Sequence, residues 1–126
     1  MKKILFILLL LPGLLGAQTK RPIVASDLMK IVTTAGTQIS PDGSKAVTVV
    51  VRKAVKNENE FYYTRHLYLL DLVGTAAPVQ LTFGDKNDGQ PTWSPDGKSI
   101  AFVRADGEKS QIWLLPMNGG EAHAIT

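Results

Sequence analysis

A four-residue turn sequence occurs twice, at Ser40-Pro41-Asp42-Gly43 and at Ser94-Pro95-Asp96-Gly97, and it restricts the possible folds of this chain more than any other feature. Pro at the second turn position presets φ, the Asp side chain bonds the local backbone, and Gly takes the left-handed conformation that realigns two strands. A turn of this kind joins neighbouring antiparallel strands. A short strand carrying Ile39 or Trp93 precedes each copy, and a β-rich run, Val47 to Val51 or Ile100 to Val103, follows it.

The two copies continue in step. His66-Leu67-Tyr68-Leu69-Leu70-Asp71-Leu72 corresponds to Gln111-Ile112-Trp113-Leu114-Leu115-Pro116-Met117. Each then meets a glycine turn, Gly74 or Gly119-Gly120, and closes on a short segment, Leu81-Thr82 or Ile125-Thr126. Four short strands per copy, at a spacing of roughly 45 to 54 residues, is the period of propeller blades. Helical hairpins would show apolar residues at helical spacing, whereas these runs alternate or are continuously β-branched and aromatic. The expected fold is therefore all-β: two four-stranded antiparallel blades of an incomplete β-propeller, preceded by a signal peptide and a short helix.

The N-terminal residues read as a targeting segment. Met1-Lys2-Lys3, the apolar run Ile4 to Leu11 and the small-residue exit through Gly16-Ala17-Gln18 form the n-region, h-region and cleavage pattern of a secretory signal. Cleavage is expected after Ala17, with Gly16 as the neighbouring alternative. The run is broken by Pro12-Gly13 and falls short of the roughly 20 residues of a membrane span. No stable span is expected after cleavage, and periplasmic or secreted localisation follows. Without Lys2 and Lys3, the 14 basic side chains become 12 against 11 acidic, a net of +1. The sequence pI of 9.3 is then no sign of a nucleic-acid partner. The chain has no Cys, which excludes a disulfide framework and a lipid anchor on a Cys thiol.

After a polar run-in, Ser26 or Asp27 is placed to cap a short helix through Leu28-Met29-Lys30-Ile31-Val32, ended by Thr33 to Gly36. The first repeat covers residues 37–82, an inter-blade loop 83–89, and the second repeat 90–126, with 18–36 as run-in. The first repeat carries roughly nine extra residues between its second and third strands, in Lys53 to Arg65. Two readings are open: a substrate-contacting loop, or an extension of the third strand by Phe61, Tyr62 and Tyr63. The crossing from Phe83 to Gln90 holds carboxylates, but its spacing departs from a calcium loop and no terminal Glu follows, so it reads as a solvated connection. No metal or cofactor is expected.

Each copy is one sheet with two apolar faces, which only neighbouring sheets can cover, and propellers close with typically four to eight blades. Two blades imply a piece of a larger protein, whose missing blades complete the core. The segment that follows the signal, expressed alone, is expected to aggregate or stay molten.

The run Trp93-Ser94-Pro95-Asp96-Gly97-Lys98-Ser99-Ile100-Ala101-Phe102-Val103, with Gln111-Ile112-Trp113-Leu114 after it and Leu81-Thr82-Phe83-Gly84 before it, resembles the Trp-Ser-Pro-Asp-Gly propeller repeats. These occur in the prolyl oligopeptidase family, especially its dipeptidyl aminopeptidase and acylaminoacyl peptidase branch, and in TolB-type periplasmic propellers. The resemblance covers roughly Ser26 to Thr126. The first Ser-Pro-Asp-Gly follows soon after the signal, without the separate N-terminal domain of TolB-type proteins, which favours the peptidase branch. The lead-in Asp27-Leu28-Met29-Lys30 also looks like that of secreted bacterial members.

That resemblance implies a C-terminal α/β-hydrolase domain with a Ser, Asp and His triad, a peptide substrate, and a propeller that limits access. No triad member transfers to this chain, because Ser26, Ser40, Ser44, Ser94, Ser99 and Ser110 all lack the flanking glycines of a nucleophile elbow. His66 and His123 occupy non-equivalent repeat positions without an evident partner. Glu58 and Glu60 are not adjacent, so the amine-binding glutamate pair of some members is not assigned to them. The alternative is a TolB-like propeller that binds protein or peptide partners and catalyses nothing.

Overall fold

The computed structural model describes residues 22, 24, 27 and 30–126. The expected signal peptide (1–17) and most of the expected helix, including Leu28 and Met29, lie outside the described residues. Ile31 and Val32 belong to no helix or strand, and Thr33 to Gly36, expected to end the helix, already form strand. Among the described residues no helix is long and apolar enough to cross a membrane.

Eight strands follow in chain order: β1 (Thr33–Ile39), β2 (Lys45–Asn57), β3 (Glu60–Asp71), β4 (Val79–Gln80), β5 (Asn87–Trp93), β6 (Ser99–Asp106), β7 (Lys109–Pro116) and β8 (His123–Ala124). They form two separate four-stranded sheets, β1-β2-β3-β4 and β5-β6-β7-β8, antiparallel throughout and not closed on each other. This is the expected pair of open blades.

The sequence repeat is a repeat of hydrogen bonds. In both sheets the leading strand carries a bulge shortly before the Ser-Pro-Asp-Gly turn, between Ala35 and Gln38 in β1 and between Gly89 and Thr92 in β5. In both, a threonine hydroxyl just beyond the short outer strand accepts from the third strand. Leu67 N donates to Thr82 Oγ1 at 2.9 Å, and Ile112 N to Thr126 Oγ1 at 2.8 Å. The closing Leu81-Thr82 and Ile125-Thr126 thus follow the outer strands, fastening them to β3 and β7 without belonging to them.

The extra residues of the first repeat are strand and not loop. β2 and β3 run 13 and 12 residues against 8 and 8 for β6 and β7, and pairing continues from Arg52 with Thr64 out to Asn57 with Glu60. Phe61 and Tyr63 meet edge to face at 6.0 Å, with the Lys53 ammonium 3.6 Å from the Phe61 centroid. Val55, Phe61 and Tyr63 remain exposed on this projecting ribbon.

The core lies between the sheets. Val47, Val49 and Leu67 of the first meet Ile100, Phe102 and Leu115 of the second, with Trp93, Trp113 and Met117 packed around them. β5 is the strand of the second sheet that lies against β1, β2 and β3. β2 is buried on both faces from Ala46 to Val50, as its unbroken β-branched run requires.

Candidate functional site at the sheet junction

The two Ser-Pro-Asp-Gly turns share one framework of hydrogen bonds, to which the first adds a bond from the Ser44 hydroxyl to Asp42 Oδ2 at 2.8 Å. Gly43 N donates to Ser40 O and Gly97 N to Ser94 O, each at 2.9 Å, and both glycines have positive φ, 74° and 69°. Ser40 Oγ donates to Asp42 Oδ1 and Ser94 Oγ to Asp96 Oδ1, both at 2.6 Å. Each serine oxygen also accepts from the backbone N–H five residues on, Lys45 or Ser99. These contacts engage both hydroxyls within the turn. Together the turns line one cavity of about 390 Å³, with Lys45, Leu69, Trp93 and Met117 between them.

Hydrogen bonding sets the charge of these turns. The Ser40 hydroxyl, followed by the Ser44 backbone and side chain, lowers Asp42 to a pKa of about 2, and Ser94 with the Lys98 N–H lowers Asp96 in the same way. A carboxyl with a depressed folded pKa stabilises the fold above its unfolded value, near 4, and loses that contribution as the pH falls toward about 2. In the full-length protein we expect the thermal midpoint to drop through this window, and Asp42→Asn to flatten the drop. Identical acid profiles for parent and variant would contradict the assignment.

One bond ties this end of the second sheet to the first. Trp93 Nε1 donates to Gln38 O at 3.2 Å. Ile39, at the equivalent position of the first repeat, is 62% exposed. The tryptophan therefore covers its neighbour, while its counterpart is left open.

The opposite end of the junction holds a buried ion pair. Asp88 is 1% exposed and accepts from Arg104 Nε at 2.7 Å and Nη2 at 3.0 Å. These bonds, ahead of the opposing effect of burial, raise the Arg104 pKa above its ordinary value. The guanidinium also sits 4.4 Å from the Trp113 ring and 5.3 Å from that of Phe102. His66 Nδ1, buried and without a hydrogen bond, lies 3.9 Å from Asp88 Oδ2. Trp113 Nε1 is likewise buried without a partner.

Reading residues 83–90 as a solvated connection missed this cluster, since Asn87 to Gln90 belong to β5 and Asp88 is enclosed. The signal was present in the repeat. Aligning the turns places Asp88 opposite Arg104 as Thr34 is opposite Val50, so an acid and a base stand where the first copy has an uncharged pair. The remaining candidates stay apart. His123 lies on the outer strand β8, and Glu60 contacts Lys56 and Asn57 at the ribbon tip, 3.2 and 2.7 Å away. No group of His, Cys, Asp and Glu able to hold a metal occurs among the described residues.

Two clefts open beside the cluster, of about 160 and 280 Å³. Arg65, Gly89 and Gln90 line both. Gln90 is the non-glycine with positive φ among the described residues, at 51°.

No protein-family model matches the chain. It is 33% identical over 108 residues to the uncharacterized peptidase YuxL of Bacillus subtilis, covering 85% of this chain and 16% of that protein. It is 31% identical over 97 residues to dipeptidyl-peptidase 5 of Porphyromonas gingivalis, 77% of this chain and 14% of that one. It is 31% identical over 102 residues to the Tol-Pal system protein TolB of Chromobacterium violaceum, 69% of this chain and 24% of the relative. The chain thus spans less than a quarter of the length of each curated relative that it matches. Over most of its own length it is related to proteins named as peptidases and to a TolB protein.

Proposed function

We propose that the two sheets are consecutive blades of a β-propeller in a longer, secreted serine peptidase, and that the propeller controls which peptides reach a hydrolase domain elsewhere in that protein. The observation that carries this reading is the pair of repeated open sheets, stacked face to face, in a chain similar over 85% of its length to a far longer protein named as a peptidase. Stacked sheets that leave outer faces uncovered need further sheets beside them. None of the described serines or histidines is paired as a nucleophile with a base, which is in keeping with a reaction carried by another part of the proposed protein.

A fluorophosphonate probe is expected to label the full-length protein at a single serine, and labelling to abolish peptide hydrolysis. Absence of both would leave the second reading, a non-catalytic propeller that binds protein partners, which the similarity to TolB supports.

A further inference from the structure

We propose that the cleft walled by Arg65 and Gln90 binds the carboxylate of a peptide. The argument starts from charge. Arg65 and Asp88 line the smaller of the two clefts, and Arg104 stands behind Asp88 as its ion-pair partner. Asp88 is committed to Arg104 through both of its oxygens. Arg65 is exposed, and its side chain has no hydrogen bond or ion pair among the described residues. One positive charge is left over, on the side chain whose planar fork matches a carboxylate in two parallel hydrogen bonds.

The second element is backbone conformation. Gln90 holds φ at 51° in the bulge of β5, directly before Pro91. The left-handed region is unfavourable for a residue with a Cβ, and a following proline restricts that residue further toward extended conformations. The equivalent bulge of β1 has Gly36 here, at φ 59°, where glycine carries no such penalty. The second repeat thus keeps a carboxamide where the fold alone is served by glycine. Bulges re-aim side chains, and this one sets an exposed amide on the wall shared with Arg65. A guanidinium with an amide N–H beside it offers three donors to the two oxygens of one carboxylate.

The choice of a peptide as bearer of the carboxylate rests on the reading of a peptide-handling protein; the preference for an anion does not. The test uses the full-length protein after fluorophosphonate treatment, with N-acetyl-trialanine as the free acid and as the amide, followed by calorimetry. The acid should bind at least about tenfold more tightly than the amide, the scale of a charge-assisted hydrogen bond. Arg65→Gln should abolish the difference and Arg65→Lys keep part of it. Gln90→Gly should weaken binding of the acid while raising the unfolding temperature, a combination that a purely structural residue would not produce. Equal binding of acid and amide, or discrimination that survives Arg65→Gln, overturns the proposal. Failed labelling with discrimination intact removes the peptidase reading alone; labelling with discrimination lost removes the carboxylate site alone.

Discussion

Asp88→Ala is expected to destabilise the full-length protein by about 3–5 kcal/mol, the cost of leaving one member of a buried ion pair without its partner. The size of the effect follows from geometry. The Arg104 side chain is 18% exposed and its guanidinium lies 4.4 Å from the centroid of the Trp113 ring, so swinging out to water would give up that contact. His66, whose Nδ1 lies 3.9 Å from the same carboxylate, would lose that neighbour as well. Asp88→Leu combined with Arg104→Met should recover most of the loss, because apolar replacement of a whole buried pair is often neutral or stabilising. Urea unfolding followed by tryptophan fluorescence checks both variants. A loss below about 1 kcal/mol in Asp88→Ala would mean that the pair behaves like a surface salt bridge.

Residues 18–126 produced alone are expected to show no cooperative unfolding transition and to aggregate. The core between the sheets is small: among the described residues, six buried side chains carry it. Large apolar side chains remain on the outside, with Ile39, Val73 and Phe83 at 62, 80 and 67% exposure. Strands with open faces and free edges recruit one another. A sharp two-state melt of a monodisperse monomer would refute the expectation. Restoring solubility by supplying the rest of the protein would support it.

Most of the architecture was legible in the sequence because turn chemistry is local. Ser-Pro-Asp-Gly specifies its own hydrogen bonds within six residues, and the alternation around it identifies the flanking strands. The ribbon from Lys53 to Arg65 was ambiguous because charged residues in a strand pair through the backbone, which composition does not record. Lys53 and Lys56 are as compatible with a ladder as with a loop. Asp88 was misplaced for the opposite reason. Its environment is set by Arg104, 16 residues later, and by the face of a different sheet, so no window around Asp88 contains the information. The Gln90 conformation was equally hidden, visible only once the bulges of β1 and β5 are superposed.

The indole of Trp93 reaches toward the N-terminus, to a carbonyl that precedes it by 55 residues. Its partner is thus made first, so during synthesis the receiving carbonyl already exists when Trp93 emerges. That one bond therefore has an order of synthesis, and a circular permutation that exchanged the two sheets would have to form it with the indole made before its acceptor.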